Sequence, residues 1–338
     1  MVIRLTTADA DARLAVLSYH SWEVSPAVLT SDILTLRADG WRFVSANEAK
    51  AFVSGQDVGD RARLALVTTD DGHVEDVEFR DALRSVNCPG VTFVNVGRMV
   101  PERFDWYRRS HSEEWSVEDH GPWHRRHFIS GHLTGVYHGQ KIGGLEYLGL
   151  PLGAPLLATA SQFSSPRFEP HPETIALAAH WAQEVDPAII AAPEWVPELS
   201  ARLLRARLAK RWRGRTYLIG TIESDDAYLQ RIRLEVASGR AAFEKALGRA
   251  PRLFAYPWWQ GSSACDRELA SCGYEMTFAG TSRIQGAGMS AYSIPRVPLD
   301  PMTARPLHLS DIATRTRHDW SALRRQVEGA AKRAMGVV

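Results

Sequence analysis

The stretch that most constrains this 338-residue chain is Leu64-Ala65-Leu66-Val67-Thr68-Thr69, an apolar run that stops abruptly at Asp70-Asp71-Gly72. The run alternates little between apolar and polar positions. It therefore reads as a strand buried on both faces, as in a parallel sheet. Asp70 and Asp71 then fall at its C-terminal tip, where α/β folds assemble their sites. Neighbouring carboxylates raise the cost of ionising each other, and a bound cation would remove that conflict. Locally, an ordinary Asp-Gly turn explains the same residues equally well, so the rest of the chain has to decide.

Strand signals recur at 14–19, 42–44, 64–68, 91–96, 127–130, 253–256, 276–279 and 294–297. Helical signals lie between them at 26–38, 46–53, 77–86, 172–184, 197–211 and 227–247. Asp225 and Asp226 suit the N-cap of the last helix, and Gly248 follows its end. Such alternation predicts a parallel α/β architecture. With 45% hydrophobic residues, the chain can bury one large core.

The order of these pieces resembles the polysaccharide deacetylase (NodB-type) family of carbohydrate esterases. Leu14 to Tyr19 followed by His20 is similar to the family's opening strand, which often ends in Tyr-His. Thr68-Thr69-Asp70-Asp71-Gly72 is similar to its Thr-Phe-Asp-Asp-Gly motif, with Thr69 in place of the aromatic residue. Phe254-Ala255-Tyr256-Pro257-Trp258-Trp259 resembles its Phe-x-Tyr-Pro-x-Gly strand end, with Trp259 at the glycine position. Ile294-Pro295-Arg296-Val297 resembles a closing strand. The resemblance covers roughly residues 11–140 and 225–300. It implies a distorted (β/α)7-type barrel over residues 1–310. Residues at about 140–224, longer than the family core needs, read as a mostly helical insertion, and the Arg-, Ala- and Lys-containing tail 311–338 as a C-terminal helix.

It also implies a site that removes an N-acyl group from a sugar, with a divalent metal, zinc foremost, as cofactor. Carried onto this sequence, Asp71 is a metal ligand and Asp70 the general base. The family's two histidine ligands come from a His-x-x-x-His element, and two segments compete for that role here. His132 and His138 are the favoured pair, because they follow an apolar strand start and resemble the family's Gly-x-His-Thr segment. His120 and His124 have the family spacing but flank a Gly121-Pro122 turn, which spoils the helical argument for one-sided imidazoles. The family's general acid is a late histidine. His308 is the late candidate here, and His20 is expected to line the site. Tyr256, Pro257, Trp258, Trp259, His73 and Trp22 form the expected substrate-binding set, with tryptophan rings as stacking platforms for sugar.

A net charge of +1 argues against a general nucleic-acid binder. The basic run from Arg202 to Arg215 reads as a solvated helix face. Cys88, Cys265 and Cys272 match no zinc-ribbon spacing and read as reduced thiols. There is no apolar run long enough to span a bilayer and no signal-peptide pattern at the N-terminus, so a cytoplasmic location is expected. The expected partner is a small carbohydrate or amide substrate. The alternative is a catalytically degenerate deacetylase-like protein that binds a glycan or a protein; the altered motif positions favour it. A weaker reading is a glycosidase pairing Asp70 with Glu75, Asp76 or Glu146.

Overall fold

A computed structural model describes residues 13–59, 63–280, 285–286 and 290–299. His308 and the expected C-terminal helix lie outside these residues. From the start, the chain runs β1 (Arg13–Tyr19), α1 (Pro26–Ala38), β2 (Arg42–Phe43), α2 (Ala46–Val53) and β3 (Arg63–Thr69). It continues through α3 (Asp76–Ser85), β4 (Gly90–Val94), α4 (Phe104–Ser110) and β5 (Trp115–Asp119). The middle holds β6 (Arg126–Val136), β7 (Pro155–Ser161), β8 (Phe168–Pro170), α5 (Pro172–Gln183), α6 (Pro187–Ala191) and α7 (Trp195–Arg205). Next come β9 (Ala209–Trp212), β10 (Arg215–Leu218), β11 (Gly220–Ile222) and α8 (Asp225–Leu247). The chain closes with β12 (Leu253–Ala255), α9 (Ser263–Ser271), β13 (Met276–Gly280), β14 (Gln285–Gly286) and β15 (Ile294–Pro298).

The chain divides into two compact units. The first, residues 1–122, 240–255 and 273–338, contains the barrel. Seven parallel strands close in the order β1, β15, β13, β12, β5, β4, β3 and back to β1. This is the (β/α)7-type barrel expected from the sequence. Alternation along each strand separates two cores. Leu14, Val16, Leu64, Leu66, Phe93, Ala255, Met276 and Phe278 pack together inside the barrel. Ala15, Leu17, Ala65 and Val67 face outward onto Leu29 and Ile33 of α1, Phe79 of α3 and Phe243 of α8. Each fully buried Leu, Val or Phe contributes about 1.5–3 kcal/mol.

Local chemistry fixes where the covering helices start. The Ser25 hydroxyl accepts from Val28 N–H, with Pro26 in the first turn of α1. Ser45 and Glu48 form a reciprocal capping box on α2. Inside the barrel wall, Glu118 is buried and accepts from the backbone N–H groups of Arg252 (2.8 Å) and Leu253 (3.1 Å), docking β12 beside β5.

The second unit covers residues 123–239 and 256–272, where an insertion was expected over about 140–224. It is not helical throughout: a four-stranded sheet, ordered β7-β6-β10-β9, accompanies α5, α6 and α7. Phe128, Leu133 and Leu157 of the sheet pack with Ala178, Trp195 and Leu199 of the helices. The basic run is not one helix face either. Beyond Arg205 it becomes the β9–β10 hairpin, turning at Arg213 and Gly214, both with positive φ, and exposing Lys210 and Arg211. Cys88 and Cys265 are buried free thiols, and Cys272 is free and half-buried. Among the described residues no helix is long and apolar enough to cross a membrane.

Candidate metal centre

The barrel register brings strand tips to one rim. Tyr19 pairs with Thr69, Thr69 with Thr92, and Val94 with Asp119. The residues just past these tips are His20, Asp70-Asp71 and His120. Asp71 has φ 71° and Gly72 φ 68°. The left-handed region costs little for Gly and is more accessible to Asp than to most side chains. A Cβ on Gly72 would stand 3.0 Å from Met99 Sδ and 3.2 Å from Val94 Cβ, so a side chain there would push on both neighbours as well as strain the backbone.

Asp70 is buried, and its Oδ1 accepts from Arg296 Nη1 at 2.6 Å. Burial pushes the Asp70 carboxyl up, but Arg296 and His120 outweigh it and hold the group below the usual carboxylate range. Asp70 is therefore ionised at neutral pH.

His120 is equally buried. Its Nδ1 lies 2.8 Å from Ala255 O. A carbonyl only accepts, so Nδ1 carries the proton and Nε2 is the atom presented to the carboxylates. Nε2 is 3.4 Å from Asp71 Oδ1 and 4.0 Å from Asp70 Oδ2. Burial disfavours a charged ring here, but Asp70 and Asp71 prevail and raise the His120 pKa.

His124 completes the group. Asp71, His120 and His124 each offer one ligand atom, and these atoms lie within 4.8 Å of one another. No other such group of His, Cys, Asp or Glu occurs among the described residues. One carboxylate and two imidazoles suit a catalytic zinc ion or a related divalent metal, with positions left for water and substrate. The Nδ1–carbonyl bond of His120 is the outer-sphere contact that ligating histidines normally make. The donor set therefore fits the expected metal.

Neither a protein-family model nor a curated protein matches the chain. Solved structures do. A de-N-acetylase from Aggregatibacter actinomycetemcomitans matches with TM-score 0.56 and 14% identity, over 89% of this chain and 99% of its own. The BpsB deacetylase domain from Bordetella bronchiseptica matches with TM-score 0.52 and 16% identity, over 86% and 97%. IcaB from Ammonifex degensii matches with TM-score 0.50 and 17% identity, over 86% and 94%. The fold is that of the polysaccharide deacetylases.

On this deacetylase fold, the favoured histidine pair is not brought to Asp71. His132 lies within β6 rather than past a strand end. Its ring stacks on Tyr217 at 5.3 Å. His138 is exposed in the following loop, its N–H donating to Gln140 Oε1 at 2.6 Å. The alternative pair takes their place because no helix is needed. Gly121 turns with φ 77° and donates its N–H to Asp119 Oδ1 at 2.8 Å, so the Gly-Pro turn itself sets the spacing of His120 and His124.

Asp119 and Tyr274 escaped the sequence reading. The Tyr274 hydroxyl donates to Asp119 Oδ2 at 2.5 Å, beneath His120. Nothing local signals a pair so distant along the chain. Burial pushes the Asp119 carboxyl up to about 6.

The expected substrate-binding residues separate into three groups. His20, Trp22 and His73 form a continuous run of tilted ring contacts at the tips of β1 and β3, with ring centroids 4.7 and 4.9 Å apart. His20 Nδ1 contacts Glu23 at 2.8 Å, and His73 Nδ1 contacts Glu75. Tyr256 and Pro257 are buried, and the Tyr256 hydroxyl donates to Asp266 at 2.7 Å, which gives them a packing role. Trp258 and Trp259 are half-buried, with φ 59° and 57°. The Trp258 ring packs at a tilt against His124, 4.5 Å between centroids. Gly143 and Gly144 make room for it: a Cβ on either would lie 2.9 or 3.0 Å from the indole.

Proposed function

We propose that this chain is a metal-dependent hydrolase that removes an N-acyl group, N-acetyl foremost, from a glycan or glycan-like amine. The observation that carries this reading is the convergence of Asp71, His120 and His124 beside an Asp70 that Arg296 keeps ionised. Bound there, a divalent cation, zinc foremost, would acidify a water and polarise the amide carbonyl.

The chain's own residues supply the remaining roles. Asp71, His120 and His124 hold the cation. Asp70 accepts the water's proton, a role that requires an ionised carboxylate within hydrogen-bond reach. His20, at the adjoining strand tip, is the candidate donor to the leaving amine among the described residues. The exposed rings of Trp22 and His73 offer apolar faces to a pyranose. The similarity to the de-N-acetylase and the deacetylases above supports the substrate class.

The test joins elemental analysis to an assay. Purified protein should carry near-stoichiometric metal and release acetate from N-acetylated oligosaccharides, and a chelator should abolish release. Protein that takes up zinc fully yet releases no acetate from any N-acetylated sugar would overturn the reading.

A further inference from the structure

The second unit carries two adjacent arginines, of which Arg125 feels the carboxylate of Glu235 without pairing with it and Arg126 has no acidic neighbour among the described residues. The Arg125 guanidinium lies 4.9 Å from the Trp123 ring and 4.7 Å from the Tyr147 ring. Arg126 lies 5.0 Å from the Trp258 ring. Neither guanidinium makes an ion pair or a hydrogen bond among the described residues, and Arg126 Nε is buried without a partner. Other arginines of the same unit are matched: Arg167 meets Glu169 at 3.1 Å, Arg231 meets Glu223 at 2.9 Å, and Arg202 meets Glu198 at 2.9 Å.

The pair is also held in place. Arg126 N–H donates to Gly144 O at 2.8 Å, and the Tyr147 hydroxyl donates to Arg126 O at 3.0 Å. The residues thus have a fixed backbone and ring-covered guanidinium faces. A guanidinium stacked on rings keeps its donors in the ring plane, pointing outward in a fork that fits carboxylate or phosphate oxygens. Partial burial of Arg126 without a counter-charge is costly, and an incoming oxyanion recovers that cost. Trp123 and Tyr147 are about 40% exposed, so the site is open to a ligand. Arg125 and Arg126 directly follow His124, the third residue of the candidate metal centre.

We infer that Arg125 and Arg126 bind an oxyanion, a carboxylate or a phosphate ester, carried by the substrate near the amide that is cut. The substrate is then an acidic glycan or a phosphorylated amino sugar rather than a neutral homopolymer. This rests on the proposed hydrolase function for the identity of the amide, though the anion site can be tested by binding alone.

The experiment is calorimetric binding to the metal-loaded full chain, using matched probes. One pair is a hyaluronan tetrasaccharide against chitotetraose, which tests carboxylate. The other is N-acetylglucosamine 6-phosphate against N-acetylglucosamine, which tests phosphate. At least one anionic probe should bind about tenfold tighter than its neutral partner. Arg125→Met/Arg126→Met should bring that ratio to about one. Arg125→Lys/Arg126→Lys, which keeps the charge but loses the fork, should give an intermediate ratio and guards against misfolding of the first variant. Equal binding within both pairs, including no binding of either member, overturns the inference. So does a preference that survives in the methionine variant, which would place the anion on the metal. A preserved anion preference without acetate release from any probe would sink the hydrolase reading alone.

Discussion

Arg296 Nη1 and Asp70 Oδ1 meet at 2.6 Å, both side chains 1% exposed, across 226 positions of sequence. The bond ties β15 to the tip of β3 and fixes the charge of the candidate base. Arg296 also stacks over Phe93, at 5.9 Å from the ring centroid. The closing strand of the barrel thus does chemical work as well as structural work.

Arg296→Met should therefore be costly twice over. Breaking a buried ion pair by removing one partner costs about 3–5 kcal/mol, because the other charge stays buried and unanswered. Asp70 would then also rise toward the protonated form, and acetate release should fall steeply. Denaturant unfolding and the assay, run on Arg296→Met beside Asp70→Asn, check this. Unchanged stability would show that the pair is not buried in solution.

The metal assignment makes a discriminating prediction. Asp71→Ala, His120→Ala and His124→Ala should each lose bound metal on elemental analysis. His132→Ala and His138→Ala should keep it. Metal loss from the second set but not the first would return the ligand role to the residues that the sequence favoured.

That reversal shows what the sequence could and could not carry. Six of the seven barrel strands were legible, because runs such as 64–68 and 276–279 are apolar enough to be buried on both faces; β5 was not, because Trp115-Ser116-Val117-Glu118-Asp119 alternates and carries two carboxylates. The Asp70-Asp71-Gly72 turn was legible because it ends such a run. His120 and His124 were seen but ranked second, since one-sided imidazoles were argued from a helix while the structure uses a turn with Gly121 at φ 77°. Arg296 stands in the closing-strand motif, but its carboxylate partner lies too far along the chain to name. The second unit was least legible: β6 is interrupted by register shifts against β7, so its alternation is weak.

Gly144→Ala tests the packing around the centre. With φ 79°, the position strains any side chain, and the added Cβ would stand 2.9 Å from His124 O and 3.0 Å from Trp258. A loss of about 1–3 kcal/mol is expected from conformation and overpacking together. Metal affinity should weaken as well, since His124 packs against the same indole. A variant that binds metal as tightly as the parent would show that Trp258 does not position His124.

Asp76 gives the barrel a pH signature separate from the metal centre. It is fully buried, with Oδ2 accepting from Thr92 and Tyr107 at 2.8 Å each. Burial, only partly offset by these hydrogen bonds, pushes its carboxyl up to about 6 from an ordinary 3.8. Below about pH 4 both folded and unfolded chains hold the proton, and Asp76 adds no pH dependence. Between about pH 4 and 6 the unfolded chain releases it while the folded chain retains it, so stability falls as pH rises. Above about pH 6 the loss is complete, at about 3 kcal/mol for a shift of about two units. Asp76→Asn cannot titrate, and its amide oxygen can still accept from Thr92 and Tyr107. The stability of the parent relative to this variant should therefore drop by about 3 kcal/mol between pH 4 and pH 7 in denaturant unfolding. A difference that stays flat across that range would mean the Asp76 carboxyl ionises in the folded barrel as readily as in water.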